Sequence, residues 1–438
     1  MATRSSGTRF RARRGSAGQQ PSAGAPEIAV RVHGLATGGD GVGRQQGGAH
    51  DGRATFVPLA APGDEVTARV VREKARVAWA ELVQIRTPSP VRVTPPCPYF
   101  GTCGGCQWQH VTLDAQRAAK REIVARALQA PAERSVGTPV VELLAPSASG
   151  FGYRDRARFV VGQRGGLGFR ARRSHDVIDI DRCPLLADEA GRALTAARGQ
   201  ALAPETEVEL QVGAEGVHVA VRSRTPIPEA RAASLFEAWG AGGIVGATMV
   251  GGEAAPQTFG LAEVDVAEPG AAPLRLPAGG FAQVGRAANA ALVGAVMRAV
   301  GEVGGDVLEL YAGSGNFTRH LLRRAARVVA HDADARAVAR GRRNAPGTLW
   351  HTGRLPSGAD AQSDLTVVDP PREGLDAENF ALAVRARRRL VYVSCDPQTL
   401  ARDAVKLADK GFVLGELVAL DLMPQTFHTE VVATFDRR

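Results

Sequence analysis

The sequence predicts a multidomain α/β protein with a small all-β unit first, an α+β domain in the middle and a doubly wound, Rossmann-like domain last. Before residue 86, short β-branched runs are separated by turns such as GGDGVGR, a pattern typical of strands. After residue 270, apolar strand-like runs alternate with helical segments, which indicates a parallel sheet covered by helices. A length of 438 residues accommodates about two to four such domains.

We expect four segments along the chain. Residues 1–26 are rich in Ser, Gly and Pro and hold five arginines without an acid, so we predict a disordered basic tail. Residues 27–86 form the β unit, and the proline-rich connector RTPSPVRVTPPCP follows it. Residues 87–270 form the central domain, which contains the predicted helix LDAQRAAKREIVARAL. Residues 271–438 form the C-terminal domain, in which GSGNFTRHLLRRA is predicted to begin a helix.

The composition of the chain indicates its cellular compartment and the kind of partner it binds. No run of about 18 apolar residues occurs, so we expect no membrane span. Five cysteines is an odd number, and no secretory signal precedes them, so a reducing cytoplasm is favoured. The formal net charge of +9 favours an anionic partner.

Part of that charge lies in one stretch of the central domain. Between Tyr153 and Arg173 there are seven arginines and one acid, interleaved with Phe159, Leu167 and Phe169. Because guanidinium groups pair with phosphate and stack on bases, this stretch suits RNA. A solvated basic surface is the alternative interpretation of the same pattern.

The five cysteines divide into four and one. Cys97, Cys103 and Cys106 have C-x5-C-x2-C spacing, and Cys183-Pro184 follows downstream. Four thiolates suit either a four-iron cluster or a structural zinc, and one CxxC unit with a remote Cys-Pro favours the cluster over zinc. Cys395 stands alone after the apolar run LVYVS. At a strand end it is a candidate nucleophile, although buried cysteines are commonly inert.

Further candidate residues also lie at predicted strand ends. Glycines in the segment Glu309–Phe317 allow the backbone of a strand-to-helix turn to approach a ligand, and Asp332, which ends the next strand, could accept hydrogen bonds from a ribose. Only two glycines occur there, so a single nucleoside such as S-adenosylmethionine fits better than NAD. Asp369 begins a rigid Asp-Pro-Pro turn that faces the same crevice, although Asp-Pro also initiates ordinary turns. Glu430 is a candidate base or an ordinary strand-edge glutamate.

Taken together, these motifs resemble a known family. PCPYFGTCGGCQWQH, DIDRCPLL, FAQVG, ELYAGSGNF, DPPREGL, VYVSCDPQTLARD and MPQTFHTE resemble the bacterial RNA uracil-C5 methyltransferases, over about residues 27 to 438. That family makes 5-methyluridine in tRNA or ribosomal RNA with S-adenosylmethionine. The N-terminal unit is similar to a TRAM domain, an oligonucleotide-binding-type β-barrel that binds RNA. The resemblance further implies an iron–sulfur central domain and a methyltransferase domain, in a chain that we expect to be monomeric.

The resemblance also implies residue roles. It assigns a [4Fe–4S] cluster to Cys97, Cys103, Cys106 and Cys183. It assigns the nucleophile to Cys395 and the general base to Glu430. The contacts to S-adenosylmethionine would lie in FAQVG, in the glycine-rich turn and at two strand ends: Gln283, Tyr311, Gly313, Asn316, Asp332 and Asp369.

The chemistry explains these residue types. Uracil C5 is a poor nucleophile, so attack of a thiolate on C6 would be needed to place electron density on C5. After methyl transfer, a carboxylate would remove the C5 proton and the thiolate would be eliminated. The target base must leave its stack to reach the thiolate. The presence of a cluster and a TRAM-like domain favours ribosomal RNA over tRNA by family analogy alone.

Two positions depart from the family pattern, one neighbouring enzyme class differs at Arg372, and two rival classes share parts of this layout. The family commonly has Gln-Val-Asn where this chain has Gln283-Val284-Gly285, and often Phe where Tyr311 stands. RNA cytosine-C5 enzymes carry a second cysteine where Arg372 stands here. A radical methylthiotransferase also joins a cluster to a TRAM-like domain, but its cysteine spacing is C-x3-C-x2-C. A non-catalytic RNA-binding or RNA-folding factor is the second rival.

Overall fold

The computed structural model describes residues 25–133, 140–268, 271–353 and 362–438. The predicted basic tail therefore lies outside the described residues, apart from residues 25 and 26. The chain forms two compact units. The first comprises 25–119, Phe159–Pro184 and Gln425–Phe427, and the second comprises Lys120–Arg158, Leu185–Pro424 and His428–Arg438. None of the helices within the described ranges combines the length and apolar content that a membrane span requires.

The first unit begins with a closed five-stranded barrel. Its strands are β1 (Glu27–Leu35), β2 (Gly41–Gln46), β3 (Ala54–Val57), β4 (Glu65–Lys74) and β5 (Val77–Thr87), in the order β1-β2-β3-β5-β4, and β1 pairs with β4 to close it. Small and β-branched side chains alternate inward and fill the narrow interior: Val30, Val32, Val57, Val66, Ala68 and Ala80. Closure leaves no free sheet edge, so the predicted small β-barrel is confirmed.

The cysteine-rich segment of the first unit lies against a small antiparallel ribbon. Helix α1 (Leu113–Glu133) follows that segment along the chain. The end of β7 (Arg156–Val161) pairs with β8 (Leu167–Arg170), which pairs with β9 (Val177–Asp179). Cys103 forms an isolated bridge with Ala171, next to β8. Backbone hydrogen bonds thus hold residues 102–104 beside residues 170–172.

The second unit holds a four-stranded arrangement before its main sheet. The strands β10 (Glu207–Val212), β11 (Val217–Ser223), β12 (Ile244–Gly251) and β13 (Gln257–Gly260) are neighbours in that order. The β11–β12 pair is parallel, and the other two pairs are antiparallel. Helices α2 (Asp188–Ala197) and α3 (Glu229–Trp239) accompany them, and β14 (Glu263–Val266) pairs with β15 (Leu274–Pro277) as a separate hairpin.

An eight-stranded sheet dominates the second unit. Its strands run in the order β18-β17-β16-β19-β20-β22-β21-β6. They are β6 (Val141–Leu144), β16 (Asp306–Leu310), β17 (Arg327–Asp332), β18 (Leu349–Thr352), β19 (Ser363–Val368), β20 (Ala386–Ser394), β21 (Phe412–Leu420) and β22 (Glu430–Arg437). The helices of this region are α4 (Arg286–Val300), α5 (Thr318–Leu321), α6 (Ala335–Asn344), α7 (Ala377–Ala383) and α8 (Pro397–Ala408).

This sheet is the predicted doubly wound sheet. The pairs from β18 through β20 are parallel, and β22 runs antiparallel to both β20 and β21. Strand β6 comes from the segment that we assigned to the central domain, and it pairs with β21. The segment GSGNFTRHLLRRA, which was predicted to begin a helix, contains the short helix Thr318–Leu321. The sheet places the ends of β16, β17, β19 and β20 at one edge, where ligands bind in such folds.

Candidate functional site

Three candidate side chains converge where β19, β20 and β22 meet. Val368 is paired with Tyr392, and Ser394 is paired with Val431. Asp369, Cys395 and Glu430 each lie one residue beyond these paired positions, so adjacent strands bring them to one place. Their electrostatic coupling agrees with this geometry, because both carboxylates raise the pKa of Cys395.

The surroundings of Cys395 hold its proton on the sulfur in the resting state. Partial burial, with smaller contributions from Glu430 and Asp369, raises the pKa of the Cys395 thiol to about 11. The same burial raises the pKa of Glu430 to about 8 and that of Asp369 to about 7. Arg372 opposes this trend, because it hydrogen-bonds Cys395 and lowers the pKa of both Cys395 and Glu430.

Local structure fixes these side chains. Cys395 lies between the end of β20 and the start of α8, where the Asp396 carboxylate accepts the Gln398 and Thr399 amide hydrogens at 2.9 and 3.1 Å. Asp396 is therefore the N-cap of the helix. Arg372 Nη2 lies 3.2 Å from His428 Nδ1, and burial together with nearby cations lowers the pKa of His428 to about 4. A neutral His428 can therefore accept a hydrogen bond from Arg372.

The glycine-rich turn after β16 contains the other group of candidates. Gly315 has φ of +91° and an added Cβ would lie 3.4 Å from Trp350, so a side chain there would be strained. Gly313 donates its amide hydrogen to Asp332 Oδ2 at 2.8 Å, and Asp334 donates to Asp332 Oδ1 at 2.8 Å. Each carboxylate oxygen keeps a second lone pair for a ligand hydroxyl. The glycine-rich turn and Asp332 thus lie together.

Tyr311 and Asn316 are each held by a partner outside the turn. Tyr311 donates its hydroxyl to Asp376 Oδ2 at 2.8 Å, and burial raises its pKa. Asn316 and Asn289 exchange two side-chain hydrogen bonds, at 2.8 and 3.1 Å. Asn289 is buried on α4, and with Asn316 and Gln283 it lines a small cavity.

Several residues of this site were missed by sequence reasoning. Asn289 and Asp376 reach it from segments outside the quoted motifs, and Asp155 was noted only as the one acid of the arginine-rich stretch. Another is Glu309. Its carboxylate accepts a hydrogen bond from the Thr318 hydroxyl at 2.6 Å, and burial raises its pKa to about 8. The sequence did contain a signal for Glu309, namely its place at the start of the glycine-turn motif, in β16.

Gly285 has a structural explanation. A Cβ there would lie 2.1 Å from the backbone oxygen of Tyr153, a distance that real Cβ atoms do not tolerate. Gly285 occupies the N-cap position of α4 without a side-chain cap. The Asp155 carboxylate replaces that cap, because it accepts the Arg286 amide hydrogen at 2.6 Å and also binds the Arg286 guanidinium. A residue from a distant segment therefore supplies the cap that no side chain at position 285 provides.

The four remaining cysteines belong to the first unit. All four are half-buried and free of disulfides. Sulfur accepts hydrogen bonds at two of them, from Gly105 N to Cys103 Sγ at 3.4 Å and from Gln109 Nε2 to Cys106 Sγ at 3.2 Å. Tyr99 donates its hydroxyl to Asp181 at 2.7 Å, which ties the first cysteine segment to the one before Cys183.

The number and chemistry of these donors suit a cluster, but their arrangement does not form a ligand set. Across the described ranges, no group of three or more His, Cys, Asp or Glu side chains is placed to hold a metal ion. Burial raises the pKa of Cys97, which favours its protonated thiol. The thiols would therefore have to lose their protons to ligate iron.

Comparisons with known proteins agree with this fold. The family described as tRNA (Uracil-5-)-methyltransferase matches residues 269–346 and 359–438, and the TRAM domain matches residues 26–83. The 23S rRNA (uracil(1939)-C(5))-methyltransferase RlmD of Alkalilimnicola ehrlichii is 33% identical over 93% of this chain and 96% of its own. The protein of that name from Chromohalobacter salexigens is 34% identical over 99% of this chain and 94% of its own.

A solved structure adds the cofactor class. The Pyrococcus abyssi tRNA (uracil-54, C5)-methyltransferase, in complex with S-adenosyl-L-homocysteine, matches with a TM-score of 0.72 and 25% identity, over 93% of this chain and 100% of its own. The fold and site thus define an S-adenosylmethionine-dependent methyltransferase. The chain belongs to the RNA uracil-C5 methyltransferase family.

Proposed function

We propose that this enzyme methylates C5 of one uridine in 23S ribosomal RNA, with Cys395 as nucleophile and Glu430 as general base. The observation that carries the proposal is the convergence of Cys395, Glu430 and Asp369 at the ends of adjacent strands. Ribosomal RNA is favoured because the two full-length relatives described above are named for it.

The chain's own residues account for each step. The Cys395 thiol gives up its proton to solvent, and the resulting thiolate adds to uracil C6 while the electrons of the C5–C6 double bond move toward O4. S-Adenosylmethionine supplies an electrophilic methyl group when bound. C5 takes that methyl group as the sulfonium S–CH3 bond breaks, which leaves S-adenosylhomocysteine. Glu430 then accepts the C5 proton, and the C5–C6 double bond re-forms as the Cys395 sulfur leaves C6. Cys395 is thereby regenerated, and no oxidant or reductant is required.

Protons have a clear route in this arrangement. Glu430 has a raised pKa of about 8, so it binds the C5 proton more readily than an exposed glutamate. Arg372 stabilises the thiolate that must form, because it is the cation that lowers the pKa of Cys395. Asp369, with a pKa near 7, can orient the polar edge of the uracil in either protonation state.

We further propose that S-adenosylmethionine contacts Gln283, Tyr311, Gly313, Asn316, Asp332 and Asp369. The left-handed glycines of the turn and the acid at the end of β17 support this assignment, because backbone and carboxylate groups there can meet a nucleoside and its ribose. The Asn316 side chain is already oriented by Asn289.

The iron–sulfur central domain is also a proposal. Cys97, Cys103, Cys106 and Cys183 would hold a [4Fe–4S] cluster, and the N–H donors beside two of the sulfurs support this, since such hydrogen bonds stabilise cluster thiolates. We assign no reaction step to the cluster, because the methyl transfer needs no electron transfer. We also propose domain boundaries at 27–86, 87–270 and 271–438, a monomeric state and a cytoplasmic location.

A labelled-methyl experiment tests the function. Purified protein and labelled S-adenosylmethionine are incubated with transcripts of 23S ribosomal RNA and of tRNA, and the product nucleoside is mapped. We expect 5-methyluridine at one uridine of the 23S transcript, none with Cys395→Ala, and an accumulated covalent protein–RNA adduct with Glu430→Gln. Methylation of tRNA instead would favour the second candidate, which the family description and the Pyrococcus structure suggest.

A further inference from the structure

The loop between β21 and β22 ends at the proposed base. Leu420, the last residue of β21, is paired with Glu430, the first residue of β22, so the 421–429 loop leaves the sheet and returns to it at the same place. From Val431 onward β22 has a strand on either side, whereas the residues before Glu430 belong to the loop. The conformation of the loop therefore decides how Glu430 enters the sheet.

A fully buried lysine holds the start of this loop. Lys120 on α1 and the Asp421 side chain are both inaccessible to solvent. The Lys120 ammonium donates to Asp421 Oδ1 at 2.5 Å and to the Met423 carbonyl at 3.1 Å. The Tyr153 hydroxyl donates to the Pro424 carbonyl at 3.0 Å. Three residues at the start of the loop are thus each tied to a side chain from outside it.

Stability alone does not account for this buried ion pair. Removing an ammonium and a carboxylate from water costs about as much as their attraction returns, and apolar replacements of similar volume are often neutral or stabilising. The hydrogen bond from Lys120 to the Met423 carbonyl also fixes a main-chain conformation, which an apolar side chain cannot do. Lys120 and Asp421 therefore specify the path of the loop more than they stabilise the fold.

The charge of Lys120 also reaches the other end of the loop. Burial, and then the charges of Arg372, Lys120 and Arg154, lower the pKa of His428 to about 4. Lys120 therefore lies near the end of the loop that continues into Glu430. Lys120 cannot itself be the base, because its ammonium is enclosed by protein and donates to two groups of the loop.

We propose that Lys120 is a positioning residue for proton removal: its ammonium fixes the start of the 421–429 loop and so holds Glu430 where it can reach C5 of the methylated adduct. In that step the Glu430 carboxylate takes the C5 proton, and the electrons of the C5–H bond form the C5–C6 double bond. The electrons of the C6–S bond return to the Cys395 sulfur. The inference rests on the proposed function, because it takes Glu430 as the base.

A single-turnover assay of full-length protein separates this step from the earlier ones. Labelled S-adenosylmethionine and the 23S transcript are mixed with the protein, and denaturing gels follow the covalent adduct and the released methylated RNA over time. Lys120→Met alone would leave Asp421 as an unpaired buried charge, which is strongly destabilising, so Lys120→Met/Asp421→Leu is the main variant. If that variant unfolds, Lys120→Gln/Asp421→Asn takes its place, because it keeps polar side chains of similar volume.

The expected result is an imbalance between two rates. The adduct should form near the wild-type rate, because Cys395 follows a different strand. The adduct should decay roughly 10- to 100-fold more slowly and accumulate, because a displacement of about 1 Å in a reacting group has a cost of this size. Hydrogen exchange at residues 421–423 should also quicken, because their anchor is gone.

Arg389→Met is the matched control. Arg389 likewise donates to a carboxylate and a main-chain carbonyl, those of Asp436 at 2.7 Å and Ala299 at 3.0 Å, but Asp436 lies near the far end of β22. Its adduct should decay at the wild-type rate, and exchange at residues 421–423 should stay unchanged. Thermal unfolding of each variant shows whether it is folded.

The outcomes separate this role from the proposed function. Wild-type decay of the adduct in a folded double variant, or equal slowing of formation and decay, would overturn the role of Lys120. An adduct that accumulates with Glu430→Gln but not with the folded double variant would refute that role alone. No adduct with Glu430→Gln would refute the proposed base, and the role of Lys120 would fall with it.

Discussion

The charge beside Cys395 sets the conditions under which the thiolate exists. Burial and two carboxylates raise its pKa, and Arg372 is the cation that acts against them. His428 holds Arg372 through Nδ1, and its low pKa of about 4 keeps it neutral over the working range. The two residues therefore form one unit in which His428 positions Arg372 and Arg372 stabilises the thiolate.

This arrangement predicts a pH dependence. Glu430 works as a base only when deprotonated, and its pKa is about 8. The single-turnover rate should therefore rise as the pH increases from 6 through 8, because the deprotonated Glu430 and the Cys395 thiolate both become more populated. Arg372→Gln removes the cation that lowers both pKa values, so the profile should move to higher pH by roughly one unit. Arg387→Gln, whose arginine pairs with Asp364 instead, is the control. An unshifted Arg372→Gln profile would contradict the role of Arg372.

The paired amides of Asn289 and Asn316 predict a cofactor effect. Asn289→Ala leaves the Asn316 amide without its buried partner, so the cofactor loop loses its orientation. We expect the KM for S-adenosylmethionine to rise about 5- to 10-fold, as for a lost hydrogen bond of about 1 to 1.5 kcal/mol, with kcat nearly unchanged.

Isothermal titration with S-adenosylhomocysteine measures the same effect without turnover. Asn289→Asp keeps an acceptor for Asn316, so its affinity for S-adenosylhomocysteine should lie between those of the wild type and Asn289→Ala. Gln257→Ala removes an amide that donates to Ile227 in the loop between β11 and α3, and this variant should bind S-adenosylhomocysteine normally. Equal affinities for all of these variants would show that the amide pair has no part in cofactor binding.

At the scale of elements, helix α4 begins without a side chain of its own at the N-cap. Asp155 from a segment about 130 residues earlier accepts the Arg286 amide hydrogen, and Gly285 lets the two segments approach. Capping of this kind contributes about 1 kcal/mol. The same close approach that supplies the cap excludes any larger residue at position 285.

Two glycine substitutions on this helix should have opposite effects. Gly285→Asn forces a Cβ to within 2.1 Å of a backbone oxygen, so we expect a loss of about 1 to 3 kcal/mol in the free energy of unfolding. Gly294→Ala lies in the same helix with open space around it and should gain about 0.5 to 1 kcal/mol. Urea unfolding of both variants measures the difference. A stabilising Gly285→Asn would show that Tyr153 can move away at little cost.

These elements show what a sequence can and cannot predict. Asp369, Cys395 and Glu430 were predictable because each one borders an apolar strand, and strand ends at one edge of a parallel sheet meet the same crevice. Asp155 and Asn289 were not, because their partners depend on how distant segments pack. The barrel was predictable from alternating residues, whereas the place of β6 at the sheet edge depends on pairing across more than 270 residues, between Val141 and Leu417.

At the scale of the whole molecule, the five cysteines fall into the two compact units. Cys97, Cys103, Cys106 and Cys183 belong to the first unit, and Cys395 belongs to the second. The proposed roles follow the same division, with cluster ligation in one unit and covalent catalysis in the other. Replacing one cysteine of each kind should therefore change different observables.

Cys183→Ser and Cys395→Ser provide this test. After anaerobic purification, Cys183→Ser should lose most of its iron and sulfide, because serine replaces a thiolate ligand, and hydrogen exchange should quicken around β8 and β9. Its binding of S-adenosylhomocysteine should remain. Cys395→Ser should keep its iron and sulfide but lose methyl transfer, because the nucleophile is gone. Zinc in place of iron in the wild type, or full iron in Cys183→Ser, would refute the cluster assignment while leaving the roles of Cys395 and Glu430 intact.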